Sequence, residues 1–503
     1  MNRTAGGRAV WAIDAVALAG ALALFAAFAP GIVNPAPYGY DEADYMWAAN
    51  LGFRANYLDS GTMAASGFLR LGLQAARHQI TGGGLSAYIR GRNDVLFYRH
   101  YHGPLYYNVI HATAPFHDAD ERGTRGAGLL LQALSCVALY GGVRWLIKGT
   151  EGRIAAILFA VLYLFSSAQM EAATVIAPHI VFIFVALAAT ILAAKWMRTG
   201  RWAYWYAAVA ASAAATCTLE VGMGLIPALI ACCWFQRREC FKGWTPGRLL
   251  GFAARSAVVW AGALVVVWPP SLMKLSLLKG CFFMAYLAGG RSAAFGGTAF
   301  LNGWRLRLLA SPVEWMVVGA GVVISIVMFR RRKAFPVAAL PILAFGVTML
   351  LAMLRVSTNM SKYTIIYLAP LELFGCILLG YGLARLRPWL RYGLPGLICA
   401  GAIAACAWHF QPIRAAGGNL DPASWRLIEF ARQEQLGTSR ALVPQDLLPT
   451  LHFYFPKATL LGYRDTGEIA SLAAGRRLDG ALLTEPVLKY SRFAPGRAEA
   501  GAR

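Results

Sequence analysis

The sequence predicts an all-α polytopic membrane protein of about eleven spans, with a large loop after the first span and a small α/β domain at its C-terminus. Apolar runs close to the length of a membrane helix recur along most of the 503-residue chain. Hydrophobic residues make up 58% and charged residues 14%, against about 25% charged in soluble domains. That balance excludes a soluble enzyme, a disordered chain, a collagen and a disulfide scaffold. The runs are continuous rather than alternating, which excludes an outer-membrane barrel.

In order, the spans are expected at 12–33, 126–147, 153–171, 176–196, 203–218, 221–235, 249–269, 313–329, 336–354, 364–384 and 393–409. The first follows Arg3 and Arg8 and lacks an A-x-A site before a hydrophilic start, so it reads as an uncleaved span. Glu220, Gly222 and Gly224 divide 203–235 into two short helices meeting at a turn. Residues 1–409 form the membrane module, with 34–125 its first loop and 270–312 a basic loop; 410–503 form the terminal domain. Within that tail, Ala441–Pro444, Ala458–Leu461 and Gly480–Leu483 read as short strands, and 422–434 and 446–454 as helices. The nine cysteines show no CxxC or Cys/His metal spacing and read as small buried apolar residues.

Orientation follows from the basic loops. Arg144/Lys148/Arg153, Lys195/Arg198/Arg201, Arg237/Arg238/Lys242/Arg248, Arg330–Lys333 and Arg385/Arg387/Arg391 all fall on one side, which the positive-inside rule makes cytoplasmic. The same rule accounts for much of the net charge of +23 and removes nucleic acid as the implied partner. The N-terminus is then inside, and the first loop and the tail are periplasmic in a bacterium.

The first loop is too long for a mere connector. It opens Tyr38-Gly-Tyr-Asp-Glu-Ala-Asp-Tyr, bringing Asp41, Glu42 and Asp44 just after the first span. On a helix over 41–53, Asp41, Asp44 and Tyr45 share one face and Glu42 turns away. Acids in a first helical turn also suit the helix dipole, so the pattern alone leaves a structural role open. The loop continues Tyr98-Arg-His-Tyr-His-Gly-Pro-Leu-Tyr-Tyr, so His100 and His102 precede Pro104, which can start a helix through His111. The aromatics there also suit a membrane interface. The two histidines are weak as a metal signal and are candidates for binding phosphate or sugar. Lys274, Lys279, Arg291, Arg305 and Arg307, with Arg355 and Lys362 in a later turn, are basic residues on the side where positive charge is disfavoured. They suit an anionic lipid phosphate or simple headgroup anchoring. Glu171 and Glu220 stand at outer helix ends, and His179 follows Pro178. Ionisable groups at membrane depth usually face a cavity, and a Glu171–His179 pair is one way to satisfy both.

These residues resemble the membrane-integral GT-C glycosyltransferases, in the bacterial branch related to protein O-mannosyltransferases and to the aminoarabinose transferases of lipid A. Asp41-Glu42-Ala-Asp-Tyr45 is similar to the first-loop signature, and His102-Gly-Pro104-Leu-Tyr-Tyr107 to the second. Ser361-Lys362-Tyr363 through Pro370 resembles the basic segment opening a late helix. The shared topology covers almost the whole chain. Many relatives carry an Arg and an Asp in the segment held here by Glu171–His179, and a Lys where Glu220 stands.

The resemblance implies transfer of a sugar from a polyprenyl-phosphate donor to an envelope lipid, glycan or protein, with inversion and outside the cytoplasm, by an inner-membrane enzyme. Asp41 would be the general base, with Glu42 beside it in the chemistry. Lys362, Arg291, Arg355 and His102 would stabilise the leaving phosphate. Asp44, Tyr45, His100, Glu171, His179 and Tyr363 complete the expected binding set. The donor's phosphate needs no nucleotide site, and no Walker A or Rossmann fingerprint is present. Some relatives bind a divalent metal, and its oxygen ligands here would be Glu42, Asp44 and Glu171.

Other readings make different demands. A transporter calls for repeats and mid-membrane charge, and neither is evident. A glycan ligase or polymerase shares the donor, but its largest loop lies late in the chain, whereas here it comes first. A non-enzymatic assembly protein has no need of acids, histidines and bases converging on one face.

Overall fold

The computed structural model of the chain describes residues 5–57, 102–116, 120–237, 239–273, 300–331, 335–354, 361–416, 422–444, 447–463, 466–474 and 477–482, with 70, 73, 74 and 77 as isolated positions. It opens with α1 (Ala5–Phe28), α2 (Tyr40–Asn50) and α3 (Leu105–Thr113). Next come α4 (Glu121–Leu146), α5 (Gly149–Phe165), α6 (Ser167–Ala173), α7 (His179–Thr199), α8 (Trp202–Thr216), α9 (Leu225–Gln236) and α10 (Pro246–Val267). Beyond these lie α11 (Phe300–Ala310), α12 (Pro312–Arg330), α13 (Leu340–Met353), α14 (Ser361–Leu383) and α15 (Pro388–Ala415).

All eleven expected segments carry helix. Among the described residues seven helices are long and apolar enough to cross a bilayer, and α5 with α6 makes an eighth, bent by 55°. The stretch 153–171, expected as one helix, breaks at Ser166; a serine pair is a usual place for a kink. α8, at 15 residues, reaches only about 22 Å at 1.5 Å per residue, short of the roughly 30 Å hydrocarbon core. The chain is a multi-span membrane protein, with seven full-length helices among the described residues, or eight with the bent pair.

α14 is the central helix, buried against α5, α6, α12 and α13. Its glycine lets α12 come in backbone to backbone, since a Cβ on Gly321 would stand 2.7 Å from the Cα of Gly375. At the end carrying the basic loops, α1 is tied to the bundle by buried Asp14. Arg153 donates to it at 3.0 Å, and Arg144 lies 3.5 Å from its other oxygen. A carboxylate at membrane depth needs such cations.

Beyond α15 the chain forms α16 (Pro422–Gln433), α17 (Leu448–Tyr454) and α18 (Thr466–Ala473) around a three-stranded parallel sheet. β1 (Arg440–Pro444) lies between β2 (Thr459–Tyr463) and β3 (Gly480–Ala481). Leu442 pairs with Leu461 on one side and Ala481 on the other. β1 is the apolar, buried strand, as a central strand must be.

This tail docks on the first loop through α17. The Tyr38 amide donates to the Tyr454 hydroxyl at 2.8 Å, and the Thr450 hydroxyl donates to the Tyr38 carbonyl at 3.1 Å. Tyr454 in turn donates to Glu121. The Tyr38 ring meets Phe453 edge to face at 5.3 Å, and burial pushes its phenol up to about 12.

Candidate functional site

Two residues after Tyr38 the chain enters α2, which carries the acidic motif. Glu42 reaches back to the Gly39 amide at 3.2 Å and so caps its own helix. Both of its oxygens also receive Arg125 of α4, Nε at 3.0 Å and a terminal nitrogen at 2.6 Å. The Ile176 amide adds a further bond at 3.0 Å. Arg125 is itself buried, donating to the carbonyls of Asn34 and Ala36 and stacked over the Tyr38 ring at 5.5 Å. Glu42, expected beside Asp41 in the chemistry, is thus spent on fixing α2 against α4 and the start of α7. The helix period explains this: Glu42 lies about 100° around the helix from Asp41.

Asp41 faces the other way and meets Lys362 of α14, Oδ2 to Nζ at 3.0 Å. The two side chains are 21% and 19% exposed, partly buried yet open to a ligand. Lys362 comes before the long buried part of α14, so the rigid central helix positions it. Tyr363 follows, and the Lys362 ammonium lies 5.7 Å from its ring centre.

Asp44 and Tyr45 are buried on the inner side of α2. The Tyr45 ring packs 5.8 Å from His102 and 6.0 Å from Tyr107. The Tyr107 phenol is held well above its ordinary range by burial, and then by the negative charges of Asp44 and Glu220.

His102 bonds through Nδ1 to Glu220 at 2.9 Å, both residues buried. Glu220 opens the single 3-10 turn (Glu220–Gly224) that interrupts the chain between α8 and α9. Gly103 makes this contact feasible. A Cβ there would stand 2.1 Å from the Cys217 carbonyl oxygen, which accepts the Leu105 amide at 3.1 Å. Gly103→Ala must therefore push the His102 turn off α8. We expect a loss of about 1–3 kcal/mol, the range for an overpacked site, read by thermal melting in detergent. Unchanged melting would contradict the close approach.

Glu171 does not pair with His179. It bonds instead to His409 Nε2 of α15, a partner that sequence reasoning missed. His179 stands at the first position of α7, its ring 5.8 Å from that of Tyr363. It is 2% exposed, and neither ring nitrogen has a hydrogen-bond partner. Lys362, His102 and Asp41 are the titratable groups that act on it. The structure thus gathers Asp41, Asp44, Tyr45, His102, His179, Lys362 and Tyr363 and leaves Glu171 in a separate pair. His100, Arg291 and Arg355 lie outside the described residues.

The suggested metal set does not fit. Glu42 is held by Arg125 and Glu171 by His409, and among the described residues no three His, Cys, Asp or Glu side chains are grouped to hold a metal ion.

Residues 101–261 match the family model described as dolichyl-phosphate-mannose-protein mannosyltransferase. No curated protein matches the chain. Among solved structures, apo ArnT from Cupriavidus metallidurans superposes with a TM-score of 0.59 at 14% identity, covering 92% of this chain and 89% of that one. ArnT bound to undecaprenyl phosphate superposes with a TM-score of 0.54 at 14% identity, over 94% of this chain and 89% of that one. The Archaeoglobus fulgidus oligosaccharyltransferase with Zn and sulfate gives 0.47 at 14% identity, over 72% and 54%. Over 92% of its length this chain has the fold of ArnT.

Proposed function

We propose that the chain is an inverting glycosyltransferase of the bacterial inner membrane. It takes a sugar from a polyprenyl-phosphate donor and passes it to an envelope lipid, glycan or protein on the periplasmic side, where the first loop and the tail lie. The observation that carries this reading is the Asp41–Lys362 pair at 3.0 Å. A carboxylate from the first loop and an ammonium from the central helix meet there, partly exposed, amid buried His102, His179, Asp44 and Tyr45. The undecaprenyl phosphate bound by ArnT, a protein of the same fold, supports a lipid phosphate as the carrier.

In the reaction Asp41 takes the proton from an acceptor hydroxyl. The freed oxygen pair attacks the anomeric carbon as the bond from that carbon to the phosphate oxygen breaks. The polyprenyl phosphate leaves with that electron pair, its charge met by Lys362. His102, held by Glu220, lines the same site. Glu42 acts as a positioning residue through Arg125.

A deletion strain tests the reading, with mass spectrometry of envelope glycans and of polyprenyl-phosphate sugars. One glycan should lose a sugar while the matching lipid-linked sugar accumulates, and the wild-type gene should reverse both. If neither pool changes, the transferase reading is wrong.

A further inference from the structure

The first three amides of any α-helix lack partners within it, and they carry the positive end of its dipole. At the start of α7 these groups are also buried: His179, Ile180 and Val181 are 2%, 3% and 7% exposed. The first amide there to find a backbone acceptor is that of Phe182, at 2.9 Å from the Pro178 carbonyl. The His179, Ile180 and Val181 amides have no acceptor among the described residues. A buried helix end without partners is rare and asks for a ligand.

The imidazole at the same position is an independent sign. Both of its nitrogens are buried without a partner, although such groups are almost always satisfied in a folded protein. The ring leans on Tyr363, next in the chain to Lys362. Of the titratable groups that act on it, Lys362 is a cation, His102 is a second imidazole, and the acid, Asp41, is already matched by Lys362.

Donor amides, the dipole, an imidazole and a nearby ammonium all favour a compact anion with several oxygens. Resting on the transferase reading above, the geometry points to the N-terminus of α7, with His179, as the seat of the donor's phosphate. A phosphate there draws on the Lys362 charge and so loosens the ammonium's hold on Asp41, leaving the carboxylate ready to accept a proton. His179 becomes a substrate-binding residue that contacts the leaving group.

The test uses the full chain in lipid nanodiscs, with undecaprenyl phosphate, undecaprenol and inorganic phosphate as separate probes. Wild type should bind the lipid phosphate at least about tenfold more tightly than either of the others. His179→Phe keeps a ring against Tyr363 and removes both nitrogens. It should weaken undecaprenyl phosphate about tenfold or more, the scale of a lost charge-assisted hydrogen bond, and leave undecaprenol and the melting temperature unchanged. His179→Gln, which restores polar groups, should recover part of the loss. Wild-type affinity for the lipid phosphate in His179→Phe would overturn the assignment and leave the transferase reading intact. An equal loss for undecaprenol would also overturn it, as would inorganic phosphate binding as tightly as the lipid. If wild type itself gains nothing from the phosphate group, the transferase reading falls with it.

Discussion

Replacing Asp41 with asparagine is expected to slow sugar transfer by about 10²–10⁴-fold, the usual worth of a positioned general base. Asparagine keeps the shape of the side chain and its contact with Lys362 but cannot take a proton. The Asp41–Lys362 pair is about one-fifth exposed on both sides, and ion pairs in contact with solvent contribute only about 0–1 kcal/mol. Thermal stability should therefore stay close to wild type while turnover collapses. Single-turnover release of polyprenyl phosphate, set beside a melting curve, separates the two effects. Transfer at the wild-type rate would remove Asp41 from the chemistry.

A second large effect is expected at Arg125, here on stability. Its buried guanidinium serves the Glu42 carboxylate and the carbonyls of Asn34 and Ala36 at once. Arg125→Ala takes a donor from each of these acceptors and leaves the Glu42 carboxylate without its cation, and breaking a buried ion pair from one side costs about 3–5 kcal/mol. The segment leading into α2 loses its brace, so Asp41 should drift from Lys362 and transfer should fall along with stability. Arg125→Met combined with Glu42→Gln removes both charges and should recover a measurable part of the loss, because the stranded carboxylate is gone. A melting temperature indifferent to Arg125→Ala would show that the clamp carries no weight.

Much of the scaffold could be read from residue pattern because helices at membrane depth depend on local apolar length. The break between α8 and α9 shows in Glu220, Gly222 and Gly224, whereas the bend at Ser166 rests on a Ser166-Ser167 pair with no glycine or proline beside it, a weaker local signal. The separation of Asp41 from Glu42 followed from helical periodicity alone. What they meet did not. Asp41 and Lys362 are 321 positions apart, and Glu171 and His409 are 238 apart. Such pairings depend on how helices pack, and no local spacing encodes them. Arg125 was missed for a related reason: near the start of a span it looks like any basic residue at an interface. The unpartnered nitrogens of His179 are likewise a property of three-dimensional surroundings, not of a Pro-His dipeptide.

The bond from Thr450 to Tyr38 joins residues 412 positions apart. During synthesis the acidic loop leaves the ribosome long before α17 does, and a domain reaches its final packing only when all of its pieces exist. For most of translation the first loop lacks the surface on which Tyr38 rests, so α2 has its Arg125 clamp but not its outer buttress. Catalytic competence is thus tied to completion of the chain. A nascent or prematurely terminated copy can sit in the membrane with its helices in place and still lack a finished site.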